Sequence, residues 1–141
     1  MKIKEERGQS IVEFAILAPV LFVILFGLVD FGRVFDAWLI TTNAAREGAR
    51  YTVVYASQDY LSDAEVKQLG AQKVLDYLNS SLGGRSDVTP PSLSDITVSV
   101  PSRAPGEPVT VEVSVRVQVW ALVNMFLSNP AQVRGQATMR I

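Results

Sequence analysis

Glu13 is the residue whose type and placement most invite chemistry. It is a single carboxylate directly before sixteen residues without a charge, FAILAPVLFVILFGLV. A carboxylate at the rim of a low-dielectric region attracts a cation far more strongly than one in water. Its minimal role is that of an acid in the first turn of a helix, favoured by the macrodipole by about 0.3 to 1 kcal/mol with no partner needed. Gly8, five residues earlier, carries no side chain and resists helix, so its minimal role is flexible backbone ahead of one. Asp87 and Asp95 suggest a cation site only weakly, because no coordinating-loop pattern surrounds them. Catalysis is narrowly bounded. With no Cys and no His, the chain has no disulfide, no zinc site of the usual ligands, no thiol nucleophile and no imidazole base. No pair of acids is spaced for acid/base work. A non-enzymatic protein with neither cofactor nor metal is the expectation.

The elements that must position Glu13 begin with the apolar run itself. Residues 14–29 lack charge, and adding Ile11, Val12 and Glu13 lengthens the run to nineteen residues. At 1.5 Å per residue this covers roughly 28 Å, close to a hydrocarbon core of about 30 Å. A chain of 141 residues that is 48% hydrophobic, with the apolar content gathered in its first third, divides naturally into one anchor and one small domain. The remaining residues could hardly enclose so uniform a cylinder, so the run is expected to span a membrane about residues 11–29. Pro19 and Gly27 are tolerated in such helices. Lys2, Lys4, Arg7 and the α-amino group outweigh Glu5 and Glu6, giving the leader a net charge of +2. The positive-inside rule then keeps the N-terminus cytoplasmic, although Arg33, Arg46 and Arg50 on the far side weaken the bias. No small-x-small cleavage site follows Val29, where the sequence reads DFGRVFD, so the segment is expected to stay in the mature protein. The 13 basic and 14 acidic residues nearly cancel, which leaves out nucleic acid as a main partner.

The stretch Gly8-Gln9-Ser10-Ile11-Val12-Glu13-Phe14 resembles the prepilin peptidase site of type IV pilins and pseudopilins. In that family, cleavage follows the Gly and an acid occupies the fifth mature position. The resemblance implies that a prepilin peptidase removes residues 1–8 and leaves Gln9 as the new N-terminus. Its ammonium would lie one helical turn from Glu13, the assembly acid, which would neutralise its own amine or that of a neighbouring subunit. Further on, Phe31, Val34, Phe35, Trp38 and Leu39, then Ala45, Ala49, Val53 and Ala56, keep a helical period, so the helix is expected from about Ser10 to Ala56. Within it Thr42-Asn43-Ala44-Ala45-Arg46-Glu47-Gly48-Ala49-Arg50-Tyr51 resembles the signature of TadE-like proteins of the tight-adherence (Tad) pilus system. Ala44 with Gly48, and Ala45 with Ala49, are small residues four apart that let another backbone approach. They serve either a contact between subunits or packing on the protein's own sheet. Arg46, Glu47 and Arg50 can pair along the exposed side.

A second helix is marked by a capping box, Ser62 with Glu65, and a possible staple from Leu61 onto Val66. Its apolar stripe is Ala71, Val74, Leu75, Leu78 and Leu82, and Gly83-Gly84 stops it. Lys67, Gln68 and Asp76 read as its wet face. Residues 85–94, RSDVTPPSLS, read as a loop. Three alternating stretches follow, about Ile96, Val98 and Val100, then the valines from Val109 to Val119, then Val133 to Ile141. They predict an antiparallel sheet with one buried face. Residues 120–127, WALVNMFL, read as a short apolar connector packed in the core.

The expected fold class is α+β: a long transmembrane helix continuing into a small extracytoplasmic domain with a second helix and a roughly three-stranded antiparallel sheet. The division is 1–8 leader, 9–57 N-terminal helix and 58–141 domain. By resemblance this is a minor pseudopilin in the bacterial inner membrane, single-pass, with its domain periplasmic or extracellular. It would work with inner-membrane lipid, prepilin peptidase, other pilin-like subunits and the assembly machinery of a Tad-type (type IVb) pilus serving adhesion or secretion. The alternative is an unprocessed membrane-anchored binding or sensor module.

Overall fold

The only residues between Ile3 and Ala56 that disfavour a helix strongly are Pro19 and four glycines, and none of them ends it. The structure, a computed structural model, describes residues 3–119 and 130–141, with side chains from Gly8 onward. Helix α1 spans Ile3–Ala56, 54 residues, roughly 80 Å at the α-helical rise. It begins earlier than the expected Ser10. A lone Gly8 among Lys, Glu, Arg and Gln costs only about 1 kcal/mol against Ala, too little to stop a helix whose other residues favour it. The stretch Gly8–Ala56 is long and apolar enough to cross a membrane, and its most apolar window is not buried by any other of the described residues.

Helix α2, Asp63–Leu82, starts on the predicted capping box: Ser62 Oγ accepts from the Glu65 N–H, and the Glu65 carboxylate accepts from the Ser62 N–H at 2.8 Å. It stops at Gly83, whose N–H donates to Asn79 O, and the left-handed residue that turns the chain is Gly84, φ 83°. The strands are β1 (Ile96–Ser99), β2 (Pro108–Val117) and β3 (Ala131–Arg140), in the order β1-β2-β3 and antiparallel throughout. Each runs within two residues of its expected bounds. The 85–94 stretch is more structured than a free loop, since Val88 bridges Val117 and a 3-10 turn closes at Leu93–Asp95. The expected connector at 120–127 lies outside the described residues.

Period-two alternation sets the sheet's two faces. Val109, Val111, Val113, Val115 and Val117 are buried, while Thr110, Glu112, Ser114 and Arg116 face out. Against the valine face lie Ala37, Ala44, Ala45 and Ala49 of α1 and Val74, Leu78 and Leu82 of α2. Small residues on α1 make this approach possible. A Cβ on Gly135 of β3 would lie 2.6 Å from the Thr41 carbonyl carbon and oxygen, so helix and strand meet backbone to backbone there. A Cβ on Gly48 would collide with Val74 Cγ2, and one on Gly70 of α2 with Thr52 Oγ1. Thr41 and Thr52 are fully buried, and each turns its hydroxyl back to its own helix, donating to Ala37 O and Gly48 O at 2.7 Å.

Candidate functional site

At the inner end of α1, Gly8 is exposed and its missing side chain would meet nothing within 4 Å. The Gly8-Gln9 peptide lies inside the helix rather than in the flexible backbone expected ahead of it. A protease acting there must first unwind about a turn, and Gly8 is the residue that makes this least costly. Gln9 and Glu13 stand on one face: Gln9 Nε2 donates to Glu13 Oε1 at 3.1 Å. Four residues is about one helical turn, which is why the two side chains meet. Phe14 follows, exposed, at the start of the apolar cylinder.

The helix motif higher on α1 splits by side. Ala44, Ala45, Gly48 and Ala49 are buried against the protein's own sheet and α2. Of the two roles open to the small-residue stripe, packing within the chain is the one it fills. Arg46 and Arg50 are exposed. Arg50 makes a two-pronged pair with Glu47, Nε to Oε2 and Nη2 to Oε1, both 3.2 Å. Arg46 has no ion-pair partner among the described residues.

Two arginine clamps join distant segments, one tying the domain to α1 and the other tying the β1–β2 loop to the turn before α2, and the sequence pattern did not reveal either. Nearest the membrane run, Arg85 Nη1 donates to Asp36 at 2.6 Å, while Nε and Nη2 grip Asp87 at 3.1 and 2.8 Å. Arg33 lies 3.8 Å from the buried Asp30 and 4.0 Å from Asp87. Hydrogen bonds from Arg85 hold the Asp87 carboxyl below its usual range against the opposing effect of burial. The same bonds hold the Arg85 guanidinium still more firmly protonated than usual. Asp87 is thus an ion-pair acid, and Asp95 pairs separately with Arg116 at 3.5 Å. The weak cation-site expectation for these two acids does not hold. At the far end, Arg103 from the β1–β2 loop donates to Leu61 O at 2.7 Å and Gln58 O at 3.3 Å and pairs with Asp63 at 2.7 Å. The Arg103 Nε–H is misaligned for a hydrogen bond to that carboxylate, so the contact is electrostatic. DFGRVFD shows charges three apart, but a partner 49 residues away cannot be read from spacing.

The open face of the sheet carries a shallow polar concavity of about 350 Å3 between Asp95, Thr97, Glu112, Arg134 and Gln136. Among the described residues no group of three or more acids, His or Cys converges on a point that could hold a metal.

The family model described as TadE-like protein matches residues 8–50. Over these residues, less than a third of its length, the chain is similar to TadE-like proteins. The TadE-like segment thus runs from the Gly8 site to Arg50 and holds Glu13, the apolar cylinder and the small-residue motif, whereas α2 and the three strands lie outside it. No curated protein and no solved structure matches the chain.

Proposed function

We propose that this TadE-like protein is a minor pseudopilin that takes part in assembling a Tad-type pilus for adhesion or secretion. The observation that supports it most is the joining of two features in one helix. A Gly8-Gln9 bond with Glu13 one turn away opens an apolar cylinder that no other described residue covers, and the TadE-like match spans both. In this reading the protein sits in the inner membrane with its N-terminus cytoplasmic and its domain outside. Prepilin peptidase cuts after Gly8, and the protein has no catalytic role of its own.

The cut turns a neutral peptide nitrogen of Gln9 into an ammonium one turn from Glu13. At the lipid boundary the two charges attract strongly, and each lowers the cost of holding the other there. When helices gather, the same carboxylate can serve the amine of a neighbour, which rewards one depth of insertion over others.

Intact-mass measurement and N-terminal sequencing of protein extracted from its native membrane test the processing step. A mature chain beginning at Gln9 is expected, and Met1 retained in the bulk of the protein would overturn it. Glu13→Ala is expected to leave the chain inserted and folded but to lower its incorporation into fibres; normal incorporation would remove the assembly role. The polar concavity on the sheet favours the alternative of an unprocessed binding or sensor module. A retained leader together with normal piliation after deletion of the protein would select it.

A further inference from the structure

We infer that the protein meets the bilayer a second time, through the end of the sheet where β2 gives way to β3, so that the domain is seated in the outer lipid surface instead of standing clear of it. The inference goes beyond the pilus reading and rests only on the membrane anchorage within it, with Glu13 at the inner lipid boundary.

Contacts at two heights place that sheet end along α1. Far from the membrane run, Gly48 lies beside Val111, whose Cγ1 would be 3.6 Å from a Cβ on the glycine. Nearer to it, the Gln118 N–H donates to Asp87 O at 2.7 Å. The Asp87 carboxylate is joined to Asp36 through Arg85 and stands 4.0 Å from Arg33. From Gly48 to Asp36 the helix drops roughly 18 Å, and from Val111 to Val117 the strand covers roughly 20 Å. β2 therefore descends almost along α1. On β3, Gly135 meets the helix at Thr41, and Ala131, paired with Val117, lies four residues nearer the membrane. Both strands thus aim their joined end at the lipid.

Depth follows from the same count. A hydrocarbon core of about 30 Å takes up roughly twenty helical residues, so measured from Glu13 it ends near Arg33. The headgroup layer, about 5 to 8 Å deep, carries the bilayer on to about Trp38. Gln118 and Ala131, level with Arg33 to Asp36, stand inside that layer. Asp30 supplies an independent mark. It is only 3% exposed, so the folded chain already covers α1 about one turn below Arg33, at the depth where acyl chains begin.

The composition of this end suits lipid. From Val117 to Val133 there are seventeen residues without a charge, one more than in the apolar run of α1. Elsewhere in the domain no uncharged run exceeds eight. The chain has two tryptophans, a residue type that gathers at membrane surfaces. Trp38 marks the top of the headgroup layer on α1, and Trp120 comes two residues after Gln118 in the sequence. The charges at this level, Asp30, Arg33, Asp36, Arg85 and Asp87, pair with one another. The seat is therefore apolar, driven by removing surface from water, and owes nothing to anionic headgroups. Together with α1 it fixes the rotation of the domain about the helix axis, which a single anchor leaves free.

The test places single cysteines in the full chain, which has none of its own, and labels each with a fluorophore after reconstitution into vesicles. Quenching is then measured with lipids that carry a nitroxide on the headgroup or the upper acyl chain. Gln132→Cys and Thr138→Cys lie on the same exposed face of β3, six residues or roughly 20 Å apart. Gln118→Cys and Ala104→Cys repeat the comparison off that strand, and Leu21→Cys reports the anchor. All four domain positions are exposed, so the substitutions leave the core intact. Gln118→Cys and Gln132→Cys are expected to be quenched about fivefold more than Thr138→Cys and Ala104→Cys, since only they lie within the depth of the bilayer. The ratio is expected to be the same in phosphatidylcholine vesicles and in vesicles that also contain phosphatidylglycerol. Equal quenching at all four domain positions, with Leu21→Cys quenched, would overturn the seat and leave the anchorage standing. An unquenched Leu21→Cys would sink the anchorage and the seat with it. Quenching at the sheet end only where phosphatidylglycerol is present would mean adsorption by charge and would refute an apolar seat.

Discussion

The two halves of α1 use the same backbone for opposite purposes. From Phe14 to Val29 the helix carries no charge and its most apolar window is not buried by any other described residue, so its side chains are interchangeable as far as the described fold is concerned. From Asp30 to Ala56 it has a sharply divided cross-section: alanines, Gly48 and two back-bonded threonines under the domain, charges and aromatics on the other side. The inner half needs only length and hydrophobicity, because lipid adapts to whatever shape it presents. The outer half must fit a solid surface, and protein interiors pack like crystals. Glycine shows the difference most directly. Gly8 and Gly27 of the inner half have open space where a side chain would go, whereas Gly48 of the outer half and Gly135 on the strand packed against it have none.

The largest effect that can break this comparison is at β3. Gly135→Val places atoms where the Thr41 backbone runs and is expected to destabilise the domain by about 3 kcal/mol or more. Gly27→Val is expected to leave domain stability unchanged, because the inner half stays helical in lipid whether or not the domain is folded. Thermal melts in detergent followed by near-UV circular dichroism would compare the two, and equal losses would refute the division. Next is the clamp nearest the membrane run. Arg85→Ala leaves a mostly buried Asp87 without its main partner and is expected to cost about 2 kcal/mol, the partial exposure of the group keeping it below a fully buried pair.

That clamp also has a pH signature. Asp87 has a lowered pKa in the folded state, so its contribution is complete above its unfolded value of about 3.9 and disappears as pH falls through the folded value. Unfolding midpoints measured below pH 4 should therefore drop more steeply in the unmodified protein than in Arg85→Ala. A smaller loss is expected from Ser62→Ala, which removes the α2 cap and should lower the melting temperature by about 4 °C. Least of all, Leu21→Ala, far from the domain and exposed, is expected to change domain stability by less than about 0.5 kcal/mol.

Much of the fold was legible because its signals are local. The α2 cap needs only Ser62 and Glu65 three apart, the β2 faces need only alternate valines, and the apolar cylinder needs only its length. α1 starts at Ile3, ahead of the Ser10 that the sequence predicts, because a single glycine among good helix formers breaks a helix only weakly. The acid and glycine of the inner site were visible as residue types at a spacing, and the structure adds the Gln9–Glu13 contact. The clamps were invisible because Arg85 and Asp36, or Arg103 and Leu61, are brought together only when distant elements dock.

By itself, the order of residues determined the helix period, the strand alternation, the length of the lipid-sized run and the lone acid at its edge. These follow from interactions within a few positions along the chain. Which side of the outer helix is covered by the domain, and which stays exposed, was decided only by tertiary structure. The small-residue stripe and the apolar side chains of Phe31, Phe35 and Trp38 look equally available in one dimension, and packing took the first because Gly135 comes so close that a Cβ on it would lie 2.6 Å from the Thr41 carbonyl.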